Sequence, residues 1–295
     1  MTNPRLTVLA LVTGLAVRPA ATAPRSWLLT REVSVPEATT VVALLDDRIG
    51  LTTGCTLVLF GSTDGAASWS PRVVRHLCRY GLEIVPGLAV DTGNGGYQET
   101  GEVALSTDGG TTWTRAARFG GPVPHHVRHL SFLDARRGLA ATDVELGLTT
   151  DGARSWQRVA LPGTVEKVAA VSLVEDGGRF VLRVLDESGA LWRSDDAGRT
   201  WAAAPTPLPG RVLESTKGPT AALRFVGTEG ILAATLDDTE AMAGRVYRTR
   251  DGGSSWSEER LEAPFHAAVL TLSADGTILS ALDAVAATVK VYGAR

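Results

Sequence analysis

The sequence predicts an all-β fold, a six-bladed β-propeller of four-stranded antiparallel blades, and three observations predict it. An eight-residue motif ending in Trp occurs five times in the 295 residues. The aspartates of successive copies lie 44, 43, 45 and 55 residues apart, a period in the forties that matches one four-stranded blade. The stretches between copies break into short apolar runs punctuated by Gly, Pro, Asp and Asn, the pattern of brief strands and tight turns.

The copies run Ser62 to Trp69 around Asp64, Ser106 to Trp113 around Asp108, and Thr149 to Trp156 around Asp151. Two more run Ser194 to Trp201 around Asp196 and Thr249 to Trp256 around Asp251. The shared order is hydroxyl, any, Asp, any, Gly or Ala, any, hydroxyl, Trp. Asp and Ser/Thr side chains accept backbone N–H groups and hold a turn closed. Gly permits positive φ where the chain reverses. The indole is large enough to plug the space between sheets.

These residues resemble the Asp-box, or BNR, repeat of sialidases and related propellers. The resemblance implies a hairpin joining the third and fourth strands of each blade, and a structural role for its aspartate. The rhythm of Leu130 to Gly138 followed by Thr149-Thr-Asp-Gly152 is also similar to the propeller family related to photosystem II assembly factors, whose members are non-enzymatic.

The blades follow in order. The first takes strands at 40–45, 49–53 and 57–61, with a fourth after Trp69. The second, from about Cys78 to Phe119, is the least regular. The third takes 129–133, 138–142, 146–149 and 157–161, and its start aligns without gaps with the first, Val35 to Asp46 against Val123 to Asp134. The fourth spans about 165–207 and the fifth 221–261. Three strand-like runs remain, at 268–273, 277–282 and 288–292. Their missing fourth strand is expected from the other end of the chain, where Ser26-Trp27 followed by an apolar run reads as the tail of a box and its strand. That strand would close the last blade and protect its edge. Seven blades would require residues 1–23 to be folded strand.

Residues 1–23 have the pattern of a signal peptide: a charged start at Arg5, an apolar run from Leu6 to Val17, and a small-residue end at Ala23. An extra N-terminal strand is the alternative. Export would place 24–295 outside the cytoplasm as one propeller domain, periplasmic, extracellular or at the cell surface. There Cys55 and Cys78 could pair, closing a loop worth roughly 3 kcal/mol in the chain-entropy picture; two buried thiols are the other reading. The net charge of −3 opposes general nucleic-acid binding, and no run reaches the roughly 20 apolar residues of a membrane-spanning helix. No Cys or His pattern has metal-ligand spacing, so no cofactor or metal is expected.

In a propeller the boxes and the first-to-second-strand turns share one face. The between-blade links and second-to-third-strand loops share the other, the channel face, where ligands of such folds bind. Candidates there are Arg79, Tyr80, His125, His126, Asp186, Asp237, Asp238 and His266. A ring of carboxylates with His and Tyr could suit a sugar, a cation or a basic partner. A sialidase requires an arginine triad marked by Arg-Ile-Pro, which is absent; Arg48-Ile49-Gly50 falls in a first-to-second-strand turn. No catalytic residue is assigned. The expectation is an exported, non-catalytic module binding a protein or glycan, with a glycoside hydrolase using acidic loop residues as the alternative.

Overall fold

A computed structural model describes residues 26–36, 38–54, 58–74, 79–93, 102–116, 118–119, 126–215, 218–237, 242–266 and 268–294. Among these, all regular structure is β: twenty-four strands and no helix. Cys55, Cys78, His125, Asp238 and residues 1–23 lie outside the described residues, and only the backbone of Arg79 and Tyr80 is placed.

Strand β1 (Ser26–Ser34) opens the described chain but joins its far end. The first sheet is β2 (Thr39–Leu44), β3 (Gly50–Gly54), β4 (Val58–Ser62) and β5 (Ser70–Val74). The second is β6 (Arg79–Val85), β7 (Leu88–Gly93), β8 (Glu102–Ser106) and β9 (Thr114–Arg115). The third is β10 (His129–Phe132), β11 (Gly138–Ala141), β12 (Leu146–Thr149) and β13 (Gln157–Val159), and the fourth is β14 (Val168–Asp176), β15 (Arg179–Asp186), β16 (Leu191–Ser194) and β17 (Ala202–Ala204). Each is an antiparallel meander in sequence order.

The rest of the chain forms one eight-stranded sheet. Its first half is β18 (Ala221–Val226), β19 (Glu229–Thr235), β20 (Gly244–Thr249) and β21 (Ser257–Leu261). Its second half is β22 (Val269–Leu272), β23 (Ile278–Asp283) and β24 (Thr288–Ala294), with β1 paired antiparallel on β24. The halves meet through a short parallel contact of β1 with β21, Ser26 opposite Arg260 and Trp27 opposite Leu261.

Burial grades from the first strand of each sheet outward. Strand β14 is apolar and buried along most of its length because both of its faces are covered, whereas β9 and most of β17 are exposed. The first strands touch in a closed cycle, β2 to β6, β10, β14, β18, β22 and back to β2. Val41, Leu82, Leu130, Val171, Leu223 and Thr271, one from each, line the axis. Where the first and second strands turn, a large apolar side chain repeatedly faces a glycine: Leu44 opposite Gly50, Phe132 opposite Gly138, Phe225 opposite Gly230. A Cβ at Gly138 would sit 2.4 Å from the Phe132 ring, so the ring occupies the space a side chain would need.

The tryptophans bind sheet to sheet. Each of these motif Trp residues packs against a cluster that takes residues from the sheet before its own: Trp113 against one that includes Leu51 and Leu59, Trp156 against one with Val90 and Val103, Trp201 against one with Leu139 and Leu148, Trp256 against one with Val174 and Val181. Trp69 packs against a cluster that includes Val289 and Val291, and Trp27 shares a cluster with Ile231 and Val246, so the same relation runs on around the axis. The indoles of Trp201 and Trp256 also donate backward, to Ala160 O at 2.9 Å and Pro205 O at 3.0 Å.

Candidate functional site

The five motif turns share one hydrogen-bond pattern. In the second, Ser106 Oγ accepts Gly110 N–H at 2.8 Å and donates to Asp108 Oδ1 at 2.7 Å. Asp108 Oδ1 accepts Thr112 N–H at 2.8 Å, and Oδ2 accepts the Thr112 hydroxyl at 2.6 Å. The two residues after each Asp have positive φ, and three of these are alanines, Ala66, Ala153 and Ala197, at +72°, +62° and +60°. Such a conformation costs a non-glycine residue about 1–2 kcal/mol, so the cage around the carboxylate must hold it. The donated hydrogen bonds, from Thr112 first, keep Asp108 down at about 2. The carboxylates are therefore charged and fully engaged, with no proton to give.

These turns lie against the first-to-second-strand turns. Gly65 N–H donates to Arg48 O at 2.6 Å, Gly152 N–H to Arg136 O at 2.8 Å and Gly252 N–H to Thr228 O at 2.9 Å. The described parts of the second-to-third-strand loops and of the links between sheets lie at the opposite end of the axis.

There the third, fourth and fifth four-strand units build a charged sector. The link between β17 and β18 is stitched across it: Val212 N–H donates to Glu187 O and Asp237 N–H to Arg211 O, both at 3.0 Å. Lys167 Nζ contacts Glu187 at 2.9 Å and Glu214 at 2.6 Å. Partial burial works against its charge, but the two carboxylates win and raise its pKa. Arg128 donates to Ser215 O at 3.1 Å and lies 3.9 Å from Asp143. Below them His129 is buried, and that burial, with Arg128 and Lys167 nearby, pushes its pKa down to about 3.

The sequence-derived candidates are spread around this end. His126 is half-buried at the approach to β10, and Asp237 and His266 are exposed in the fifth unit and in the link that follows it. Asp186 is buried, and its Oδ1 accepts Ser188 Oγ–H at 2.5 Å and Ala190 N–H at 3.0 Å. These bonds tie it into its own loop. Tyr247, at 5% exposure, lies in the core. Among the described residues no group of three or more His, Cys, Asp or Glu side chains is placed to hold a metal ion.

The axis holds what local sequence reading missed. Glu83 on β6 and Arg224 on β18 are both nearly fully buried and form an ion pair across the centre. Arg224 Nη1 also donates to Ser131 Oγ and Phe132 O, each at 3.2 Å. Both Glu83 oxygens accept Phe132 N–H at 3.1 Å. The same strand position elsewhere carries Ser131, which accepts Leu173 N–H at 3.0 Å, and Ser172, which accepts Phe225 N–H at 3.1 Å. The available signal was one polar residue flanked by apolar ones at a fixed place in successive first strands: Leu82-Glu83-Ile84, Leu130-Ser131-Phe132, Val171-Ser172-Leu173, Leu223-Arg224-Phe225. The axial cavity is small, about 60 Å³, the scale of a few water molecules.

No protein-family model matches the chain, and no curated protein matches it. Solved structures do. A structure of YCF48 bound to D1 peptide superposes with a TM-score of 0.53 at 14% identity, covering 90% of this chain and 96% of that one. YCF48 from Cyanidioschyzon merolae gives a TM-score of 0.50 at 14% identity, with the same coverage. A chain of the mitotic checkpoint complex gives 0.60 at 10% identity, covering 99% of both chains. Together with the four-stranded sheets around an axis, these likenesses show a β-propeller fold.

Proposed function

We propose that the chain is a six-bladed Asp-box propeller, exported after loss of residues 1–23, that binds a protein partner through its channel face and carries no catalytic site. The count of six treats each half of the eight-stranded sheet as a blade, since among the described residues the halves pair as strands at just Ser26 and Trp27. The caged carboxylates at all five motif turns favour the Asp-box assignment.

The observation that carries the binding reading is the placement of exposed apolar side chains. Val144, Met242 and Val285 are 43%, 45% and 85% exposed, and all three lie in second-to-third-strand loops on the channel face. Apolar tips around a charged sector suit a protein surface, since rigidly mounted loops are where such folds place contacts. The small axial cavity, about 60 Å³, gives a sugar little room, so protein takes precedence over glycan. His125, His126, Arg79, Tyr80, Asp237, Asp238 and His266 would border the contact. The YCF48 structure carries a peptide, which is consistent with this use of the fold.

The test is a comparison of captured partners from the source organism by wild type and by Met242→Asp/Val285→Asp. A partner lost with the double variant, whose melting temperature should match wild type, is the expected result; an unchanged partner set refutes the channel face. Turnover of any member of an aryl glycoside panel, abolished by Asp237→Asn or Asp186→Asn, would instead establish the hydrolase.

A further inference from the structure

Six aspartates in the chain are followed directly by glycine: Asp64, Asp108, Asp151, Asp176, Asp251 and Asp275. Such a pair is open to ring closure. Glycine has no Cβ to shield its amide nitrogen and lets the backbone turn freely, so that nitrogen can reach the carboxyl of the aspartate before it. The fold treats the six pairs differently.

Four sit in motif turns. There each carboxylate accepts the hydroxyl two residues before it and the N–H and hydroxyl four residues after it. Asp275 is engaged too, accepting Ser273 Oγ–H at 2.6 Å and Thr277 N–H at 3.0 Å. A carboxylate bound in this way must give up charge-assisted bonds before it can turn towards its own main chain. The nitrogens are held as well. Gly65, Gly152, Gly252 and Gly276 donate N–H to Arg48 O, Arg136 O, Thr228 O and Ser273 O.

Asp176 and Gly177 carry neither restraint. They lie at the tip of the β14–β15 hairpin, where Asp176 stands opposite Arg179 across Gly177 and Gly178, both at positive φ. Asp176 and Gly177 are exposed. Among the described residues the Asp176 carboxylate accepts no hydrogen bond and joins no ion pair, and Gly177 N–H donates to no acceptor. A Cβ at Gly177 would meet no atom within 4 Å, so the space around the nitrogen is open.

We infer that the fold selects Asp176–Gly177 as a site of spontaneous modification, where aspartate converts to isoaspartate in the folded protein. Gly177 N bonds to Asp176 Cγ. The amide proton and the hydroxyl of the protonated carboxyl leave as one water, and a five-membered succinimide remains. One water then adds back. Breaking the bond from N to Cγ restores aspartate. Breaking the bond from N to the Asp176 main-chain carbonyl carbon leaves the chain running through Cβ and Cγ, with the old main-chain carbonyl as a free carboxylate. Water is the only co-reactant. The product lengthens the main chain by one carbon at a two-residue turn, so the closing pair of Asp176 with Arg179 is lost. The site lies at the opposite end of the axis from the proposed partner surface and does not depend on it.

The test keeps the full chain folded for several weeks in mildly acidic buffer made with heavy-oxygen water, then digests it and maps the peptides by mass spectrometry. Hydrolysis places heavy oxygen in every residue that has passed through the ring, and fragmentation tells isoaspartate from aspartate. The tryptic peptide 168–179 should isomerise at least roughly tenfold faster than the peptides holding Asp108 and Asp251, a barrier difference of about 1.4 kcal/mol. In urea the six rates should come together, because every restraint is then gone. Gly177→Ala should slow the reaction at Asp176 and leave the other five rates unchanged; its Cβ has room, and Ala66, Ala153 and Ala197 already hold positive φ. No isomerisation at Asp176, or a rate at any of the other five that equals it in the folded chain, overturns the inference. An unchanged rate in Gly177→Ala overturns it as well. The same lead of Asp176 in urea also overturns it, since local sequence and not the fold would then make the choice.

Discussion

The indole N–H of Trp27 donates to Glu259 Oε2 at 2.7 Å, joining residues 232 positions apart in a fully buried contact. Glu259 Oε1 meanwhile accepts Arg248 Nε–H at 2.6 Å. One carboxylate thus ties the first described strand to two strands near the other end of the chain. Trp27→Phe keeps most of the packing and removes the donor to a buried charge, and should cost about 1.5–3 kcal/mol. Trp27→Ala also opens a cavity and should cost about 3–5 kcal/mol. Urea denaturation measures both, and equal stability of Trp27→Phe and wild type would show the bond to be idle.

Removing one partner of the axial pair strands the other. Arg224→Met leaves Glu83 buried and charged, and should cost about 3–5 kcal/mol. Glu83→Gln/Arg224→Met should lose less than the sum of the two single changes, because neither charge then remains. A double-mutant cycle by chemical denaturation reads the coupling, and strict additivity would mean that the two groups do not interact.

His129 makes stability depend on pH in a definite window. Its folded pKa is about 3, against roughly 6.5 when unfolded. Below that unfolded value the unfolded chain takes up a proton that the folded chain refuses. The contribution is therefore fully present above about pH 6.5 and is lost as pH falls towards 3, at about 1.4 kcal/mol per pH unit. His129→Gln should flatten the urea midpoint between pH 6 and pH 4. An unchanged slope in that variant assigns the dependence elsewhere.

The motif aspartates act lower on the scale. Asp108 is held at about 2 by Thr112 and Ser106, below the roughly 3.9 of an unfolded aspartate. Its contribution is present above pH 4 and is lost as pH falls to 2. Asp64, Asp151 and Asp196 are held at about 2 by the same kinds of bond, and Asp251 is lowered too, so the turns should melt together in acid. At neutral pH Asp108→Ala should lower the melting temperature more than Asp108→Asn, which keeps one acceptor oxygen. Calorimetry on both variants checks the order, and a wild-type melting temperature for Asp108→Ala would remove the structural role.

The turns and strands were legible because their causes are local. The motif carries its own donors and acceptors within eight residues, and the first expected strand, 40–45, is found at Thr39–Leu44. Trp27 was legible because it repeats a pattern seen five more times. The Glu83–Arg224 pair was not, because its members lie 141 positions apart and meet only once the ring forms. What the sequence alone did not show at Asp186 is that Ser188 and Ala190 of its own turn donate to it, because a loop carboxylate carries no mark of the turn that forms around it.

The pairing of β1 with β24 has a consequence for synthesis. Each of the first four sheets draws its strands from one contiguous stretch and can zip as it leaves the ribosome. The nine residues of β1 emerge early, yet the partner that covers them, Thr288–Ala294, emerges some 250 residues later. At about 5–20 residues per second that is roughly 10–50 s of waiting with an unpaired strand and a bare indole. Assembly of this protein is therefore all-or-nothing with respect to length: a nascent chain halted anywhere before its last strand holds finished sheets that have nothing to close against.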